Sequence, residues 1–192
     1  VRRTEALGAT VVLQGDSLGE CEDHAGLLAA SHGYTIIHPY DDDCIIAGQG
    51  TVALEMLAAV PDLEVLVVPI GGGGLIAGCA IAAKALKPGI EIVGVQAAQY
   101  PSMHHAIRGI AAPQGAPTLA EGIAVKRPGT RTRPIVEALV QDILLADEAL
   151  IEQAVQMLLD SAKIMAEGAG AAPLAALLAN PLRFRGRRVG LV

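Results

Sequence analysis

Aromatic side chains are almost absent from this chain, which has no Trp, three Tyr and one Phe among 192 residues. Binding sites that stack on bases or sugars depend on aromatic platforms, so this composition argues against both. An excess of positive charge is also lacking, because the net charge is −6 at pH 7. We therefore expect no nucleic-acid partner. With 52% hydrophobic and 18% charged residues, the chain is typical of a globular protein.

Cysteines are few, odd in number and far apart: Cys21, Cys44 and Cys79. This spacing predicts free thiols in a reducing compartment, and hence a cytoplasmic protein. We also expect no signal peptide. It matches no metal-ligand pattern. Asp41–Asp43 is an acidic run that resembles a metal cluster, but carboxylates in the first turn of the following helix are the favoured interpretation. We expect no bound metal.

The chain also lacks an initiator Met, and its first residues resemble the tail of a helix. Its last residues, Arg187–Val192, resemble a strand that is just beginning. We therefore expect an internal fragment, truncated at both ends and inactive if produced alone. In such a fragment, apolar surface around Val65–Val68 is expected to be left partly uncovered.

A strand, a glycine turn and a helix follow one another in the middle of the chain. Val65–Val68 is an apolar run of the kind that forms a strand covered on both faces. Gly71–Gly74 comes next, and the Ala-rich run Leu75–Leu86 predicts a helix that ends before Pro88. Adjacent glycines leave backbone N–H groups bare at a helix start, where the dipole favours an anion. The pattern therefore predicts a phosphate-binding turn.

Other interpretations of this turn stay open. Its glycines form a purely structural βα turn if they serve only packing. Gly72, Gly74 and Ala77 also fit the G-x-G-x-x-A pattern of a dinucleotide site, but the next strand ends in Gln96 rather than an acidic residue. A P-loop is excluded because no Lys-Ser/Thr pair follows. The uncharged run Val65–Ala83 is long enough to span a membrane, but its proline and central glycines argue against that.

Predicted strands and predicted helices alternate along the chain. This alternation predicts an α/β fold with a doubly wound, mostly parallel sheet. We predict strands at Thr10–Leu13, Tyr34–His38, Val65–Val68, Ile90–Gln96 and Asp142–Leu145. We predict helices from Asp16 or Ser17 to about His32, and at about Ile45–Ala59, Leu75–Leu86, Pro134–Val140, Glu148–Lys163 and Leu174–Leu178. The long irregular segment Tyr100–Arg133 is expected to line a site in part.

Several short phrases, in order, carry a resemblance to a known family: Ala6–Ala9, Gly15–Ser17, His38–Asp42, Gly48–Thr51, Pro69–Leu75, Glu121–Val125 and Glu167–Ala171. Together they resemble the pyridoxal-phosphate (PLP) enzymes of the threonine/serine dehydratase and serine racemase family, which have the tryptophan-synthase-β fold. The match covers nearly the whole chain. It implies a remnant of the small domain at 1–40 and most of the large PLP-binding domain at 41–192.

The resemblance implies seven cofactor-binding residues, which are Gly71, Gly72, Gly73, Gly74, Leu75, Gly122 and Glu167. The four glycines and the Leu75 amide would hold the phosphate, and Gly122 would lie beside the cofactor face. Glu167 would lie near the cofactor ring, unless it is only a surface capping carboxylate. The family's Schiff-base lysine is expected upstream of residue 1. None of Lys84, Lys87, Lys126 and Lys163 matches a catalytic position.

The implied reaction is β-elimination of L-threonine or L-serine to a 2-oxo acid and ammonia, in a homodimer or homotetramer without a membrane partner. The alternatives are a serine or hydroxyaspartate racemase or dehydratase of the same family, and a non-catalytic phosphate- or nucleotide-binding module. In family members that bind a divalent cation, a Glu stands where this chain has Gln96. We therefore predict weak or absent activation by divalent cations.

Overall fold

The structure, a computed structural model, describes residues 1–15, 18–111 and 115–192. These residues form two compact units, Val1–Ile37 and His38–Val192. The first unit contains helices α1 (Arg2–Ala6) and α2 (Leu18–His32). The end of α2 agrees with the prediction, because Gly33 adopts a left-handed φ of 70° just after it. The predicted capping residues, Asp16 and Ser17, lie outside the described residues.

Two of the predicted strands are wrong. Thr10–Leu13 and Tyr34–His38 have extended-looking sequences, yet neither takes part in a strand pair within the described residues. A strand needs a hydrogen-bonded neighbour, and β-branched residues alone do not supply one. The side chains of Val12 and Ile37 are accordingly exposed.

The sheet lies in the second unit and is entirely parallel in the part of the chain that the structure describes. Its strands are β1 (Val65–Pro69), β2 (Glu91–Ala97), β3 (Asp142–Ala146) and β4 (Val189–Leu191), in the spatial order β3-β2-β1-β4. Val67 lies opposite Val93 of β2 on one side and Leu191 of β4 on the other. The predicted parallel α/β sheet is therefore confirmed, with β1 in its interior.

The helices of the second unit cover both faces of this sheet. They are α3 (Asp43–Ala59), α4 (Gly74–Leu86), α5 (Ser102–Arg108), α6 (Thr132–Leu139), α7 (Glu148–Met157), α8 (Gly168–Ala179) and α9 (Pro181–Phe184). A 3-10 turn occupies Glu121–Ile123, and a π-helical segment, Leu158–Ala162, follows α7. This arrangement confirms the doubly wound fold.

Alternate residues of β1 point into two different cores. Val65 and Val67 pack with residues of α7, α8 and α9, whereas Leu66 and Val68 pack with residues of α3, α4 and α6. All four side chains are 0% exposed. The expectation that this strand is left partly uncovered is therefore wrong, because β2 and β4 flank it and helices cover both faces.

Some helix boundaries differ from the predictions for identifiable reasons. α3 begins at Asp43 because the Asp42 carboxylate accepts hydrogen bonds from the N–H groups of Cys44 and Ile45. α8 begins at Gly168 rather than at Leu174. Its glycines and internal proline predict a loop, but its small residues are buried against the sheet, and that packing outweighs helix propensity.

Candidate functional site

The predicted phosphate turn lies at the carboxyl end of β1, directly before α4. Gly73 is the N-cap residue of α4 and has a φ of 102°, a left-handed conformation that glycine adopts without strain. Among the described residues, none accepts a hydrogen bond from the N–H groups of Gly71 through Leu75. These donors lie at the positive end of a 13-residue helix, which makes the turn suitable for binding a phosphate.

Protein atoms pack closely against the glycines of this turn. A Cβ atom on Gly72 would lie 2.2 Å from the Tyr40 ring, and one on Gly73 would lie 2.7 Å from Thr132 Oγ1 and Met103 Cε. Because these glycines have no side chains, neighbouring residues of the protein itself pack against their backbone. The sequence favoured a ligand-binding turn and left a packing turn as an alternative, and the structure shows that the glycines do serve packing.

The structure brings the other two predicted cofactor residues close to the same turn. A Cβ atom on Gly71 would lie 3.5 Å from the Gly122 carbonyl oxygen, and one on Gly122 would lie 2.9 Å from Glu167 Oε1. Gly71 and Gly122 are therefore neighbours, and so are Gly122 and Glu167. Glu167 is the exposed N-cap residue of α8, and its side chain makes no capping hydrogen bond to that helix.

The segment that carries Gly122 is anchored by helices α7 and α8. Glu148 of α7 accepts a hydrogen bond from Leu119 N at 2.8 Å, through Oε2. At the start of α8, Gly168 lies so near Leu119 that a Cβ atom there would be 2.2 Å from the Leu119 carbonyl oxygen. These contacts fix the loop beside Gly71. They were missed in the sequence because nothing local connects position 119 with either helix.

The three consecutive aspartates do different things. Asp42 caps α3, and Asp43 pairs with the Arg131 side chain at 3.0 Å, as expected for carboxylates at a helix start. Asp41 instead reaches the turn before α6, where backbone N–H groups and the hydroxyl of Thr130 donate to its carboxylate. Burial raises the pKa of Asp41, but these hydrogen bonds lower the pKa by a larger amount. The Asp41 carboxyl is therefore more acidic than usual.

No group of three or more potential metal ligands occurs among residues 1–15, 18–111 and 115–192. Gln96, at the end of β2, is fully buried and serves the protein framework. Its Oε1 accepts a hydrogen bond from His104 N at 2.9 Å, and its Nε2 donates to the Ile70 carbonyl at 3.3 Å. This side chain therefore holds β2 to the segment just before the glycine turn, and it is not available to a nucleotide ribose.

Three of the four lysines donate hydrogen bonds to backbone carbonyls away from the glycine turn. Lys84 and Lys87 lie at the far end of α4 and donate to backbone carbonyls of Ile90 and Leu63. Lys163 donates to the Asp160 carbonyl after the π-helical segment. The fourth, Lys126, is in the loop after Gly122. His38 has a structural role in this region, because its Nδ1 accepts hydrogen bonds from Tyr40 N and Asp41 N.

This combination defines a class of protein: a doubly wound α/β fold with an anion-binding glycine turn at the carboxyl end of an interior strand. Ligands of such sheets bind at that edge. All 192 residues match the family model described as "Pyridoxal-phosphate dependent enzyme", and the chain belongs to this family. The predicted family and its cofactor are thereby confirmed.

Proteins with known names resemble the chain in sequence and in structure. The L-threonine ammonia-lyase of Thermotoga maritima is 42% identical over 194 residues, which cover 100% of this chain and 48% of that protein. That of Geobacter sulfurreducens is 45% identical over 91% of this chain and 44% of its own length. The chain spans about half the length of these relatives.

Among solved structures, maize serine racemase has a TM-score of 0.90 at 30% identity, covering 98% of this chain and 59% of its own. The processed form of threonine deaminase isoform 2 from Solanum lycopersicum has a TM-score of 0.88 at 30% identity, covering 98% and 53%. Within the described ranges, no helix combines the length and apolar character that crossing a membrane requires.

Proposed function

We propose that the protein is a PLP-dependent L-threonine/L-serine ammonia-lyase, which converts its substrate to a 2-oxo acid and ammonia. One observation carries the proposal: unpaired N–H groups of the glycine turn, Gly122 and Glu167 lie together at the end of β1. The names of the curated relatives support the choice of reaction. When bound, PLP supplies an electron sink for the negative charge left by removal of the substrate's α-proton.

The glycine turn fits the cofactor phosphate. The phosphate is a dianion with several acceptor oxygens, and Gly71 through Leu75 offer backbone donors at the positive end of α4. A lysine or arginine is not needed there, because N–H groups and the helix dipole supply the positive potential. We propose that these residues bind the phosphate and fix the depth at which the cofactor lies.

Gly122 and Glu167 would then lie beside the rest of the cofactor. The absence of a side chain at Gly122 lets the Glu167 carboxylate approach its backbone closely. Glu167 would place a negative charge beside the cofactor ring, and Gly122 would present a flat surface to it. These assignments rest on the position of both residues next to Gly71.

The wider assignments are also part of the proposal. Residues 1–40 would belong to a small domain and 41–192 to the large cofactor-binding domain. The division into compact units between Ile37 and His38 supports this boundary. We further propose a cytoplasmic homodimer or homotetramer, and free Cys21, Cys44 and Cys79 agree with a reducing compartment.

The direct test is to incubate the native protein and PLP with L-threonine or L-serine and to quantify 2-oxo acids. We expect 2-oxobutanoate from L-threonine and pyruvate from L-serine, each with an equivalent of ammonia. Omission of PLP from the apo form is the control and should abolish both products. Failure to release either product would refute the lyase assignment.

A serine racemase is the second candidate, because the structure of maize serine racemase resembles this chain with a TM-score of 0.90. The same incubation with L-serine distinguishes the two. Chiral chromatography that detects D-serine, with no 2-oxo acid above background, would favour the racemase over the lyase.

A further inference from the structure

Two hydrogen-bond donors hold the carbonyl group of Gly72. Thr132 Oγ1 donates to it at 2.7 Å, and Gly129 N donates at 3.0 Å. In a planar trans peptide the N–H points opposite to the C=O, so the two bonds also set the direction of the Gly73 N–H. That N–H is one of the unpaired donors of the glycine turn.

Thr132 is held in turn by a carboxylate that comes from about ninety residues earlier in the chain. Asp41 Oδ1 accepts from the N–H groups of Arg131 and Thr132 at 2.9 and 3.2 Å. Its Oδ2 accepts from the N–H and hydroxyl of Thr130 at 2.9 and 2.8 Å. Asp41 thereby caps α6, and its own N–H donates to His38 Nδ1 at 2.8 Å.

This arrangement leaves the Thr132 hydroxyl free for the glycine turn. Thr132 is 0% exposed, and a buried hydroxyl normally bonds to its own helix or to a neighbouring backbone group. Here Asp41 supplies the helix cap, and the Thr132 hydroxyl donates to Gly72 instead. The capping bonds and the carbonyl contact form one connected chain from His38 to the phosphate-binding N–H groups.

We infer that Asp41 and Thr132 are positioning residues that preset the Gly72–Gly73 peptide for the cofactor phosphate. The inference rests on the proposed phosphate site. It specifies that these two residues tune affinity for the phosphate group and have no part in recognition of the pyridine ring. A purely structural role would instead affect every ligand alike, through loss of folded protein.

The test compares the affinity of the apo form of the native protein for PLP and for pyridoxal, which lacks the phosphate. Thr132→Val removes the hydroxyl with little change in shape. We expect it to weaken PLP binding about five- to tenfold, the effect of one lost hydrogen bond, with pyridoxal binding unchanged. The affinity of this variant for inorganic phosphate, measured by ³¹P NMR titration, should fall by a similar factor. Thr132→Ser, which retains the hydroxyl, should restore both affinities.

Asp41→Asn tests the other end of the chain of contacts. Its amide keeps one acceptor oxygen but presents N–H groups to Thr130, so we expect the same selective loss of PLP affinity. Asp43→Asn is the matched control, because among the described residues the Asp43 carboxylate bonds only the exposed side chain of Arg131, whereas Asp41 bonds the backbone of the turn before α6. It should leave both affinities unchanged.

The outcomes separate this inference from the proposed function. If the wild type binds pyridoxal as tightly as PLP, the phosphate site itself is wrong. If the wild type prefers PLP and Thr132→Val keeps that preference, only the positioning inference is overturned. An equal loss of affinity for PLP and pyridoxal, together with a lowered unfolding temperature, would also overturn it in favour of a structural role.

Discussion

Glu167 is an ionisable residue of the proposed site, and its Oε1 would lie 2.9 Å from a Cβ atom on Gly122. We predict that Glu167→Gln lowers kcat about ten- to a hundredfold, the range expected when an interaction with a charged group is removed. The folded structure should be unaffected because the Glu167 side chain does not cap α8. Steady-state 2-oxo acid release and a thermal unfolding curve measure the two effects.

Glu121→Gln is the matched control for this prediction. Glu121 is an exposed carboxylate next to Gly122 in sequence, and no role in cofactor binding is proposed for it. The control should keep its activity. An equal loss of activity in both variants, or none in Glu167→Gln, would contradict the role proposed for Glu167.

Individual residues show where sequence reasoning succeeds and where it stops. Gly71–Gly74 could be predicted because strand, glycines and helix adjoin in the sequence, and each of the three has a local signature. Asp41 and Thr132 could not, because 91 positions separate these two residues and 60 separate Thr132 from Gly72, and such tertiary contacts leave no periodic signal. Gly122 and Glu167 came from family resemblance alone, and no spacing rule would have placed them together.

Helices α3 and α4 approach each other through glycines, and this contact supports a prediction about stability. A Cβ atom on Gly78 would lie 2.1 Å from the Ile46 carbonyl oxygen, so Gly78→Ala must push the helices apart. We expect it to lower the free energy of unfolding by about 1–3 kcal/mol, as overpacking does. Urea-induced unfolding, followed by circular dichroism, measures this change.

Gly48→Ala is the control within α3. Nothing lies within 4 Å of a Cβ atom at that exposed position. Alanine has the better helix propensity, so this variant should be about 0.5–1 kcal/mol more stable than the wild type. If Gly78→Ala were as stable as Gly48→Ala, the close packing of the two helices would be wrong.

An ion network joins the starts of β2 and β3 to α9 and predicts a dependence of stability on pH. Arg183 donates to Asp142 at 2.6 Å and to Glu91 at 2.8 Å, and Arg187 also pairs with Glu91. Burial raises the pKa of both carboxyls. The hydrogen bonds from Arg183 outweigh this effect, so that the pKa values of Glu91 and Asp142 are lowered overall. Both carboxyls are therefore more acidic in the folded protein than in the unfolded chain.

The sign follows from this difference. The network stabilises the protein above the unfolded pKa values of about 4, and this contribution is lost as pH falls through the lower folded values. Arg183→Gln should therefore cost most stability near pH 7 and progressively less from about pH 5 to pH 3. Urea unfolding at several pH values measures the difference. A gap between wild type and variant that is constant with pH would contradict the prediction.

Arg185→Gln is the control, because Arg185 is exposed and forms no ion pair with a described residue. Its stability should follow that of the wild type at every pH.

Element boundaries elsewhere show the limit of local signals. β1 and α4 were predicted almost to the residue, since apolar runs and helix stops coincide there. The amino-terminal turns of α8 were missed, because burial of small residues against the sheet is decided by tertiary packing.

At the scale of the whole molecule, no lysine in residues 1–192 is expected to bind the cofactor covalently. Lys84 lies ten residues along α4 from Gly74, about 15 Å at 1.5 Å per residue, and Lys87 lies farther still. Borohydride reduction of the native protein with PLP, followed by peptide mapping, should leave Lys84, Lys87, Lys126 and Lys163 unmodified. Stoichiometric labelling of any one of them would overturn the assignment of roles.

The overall fold could be predicted from the sequence more fully than the contacts made by individual segments and site residues. Alternating elements and the buried β1 run predict a parallel, doubly wound sheet, and both are confirmed. The segments at Thr10–Leu13 and Tyr34–His38 were misassigned because composition indicates strand propensity but not the presence of a pairing partner. The same limit applies to the candidate site, because tertiary packing determines which residues lie next to one another there.

The central claim is that backbone N–H groups of the glycine turn bind the cofactor phosphate. A crystal structure of the native protein grown with PLP tests it most directly, by measuring distances from phosphate oxygens to those nitrogens. We predict several distances of about 2.7–3.2 Å, within the range of N–H···O hydrogen bonds, to Gly71, Gly72, Gly73, Gly74 and Leu75. A phosphate bound elsewhere, with no oxygen within hydrogen-bond distance of these nitrogens, would contradict the claim.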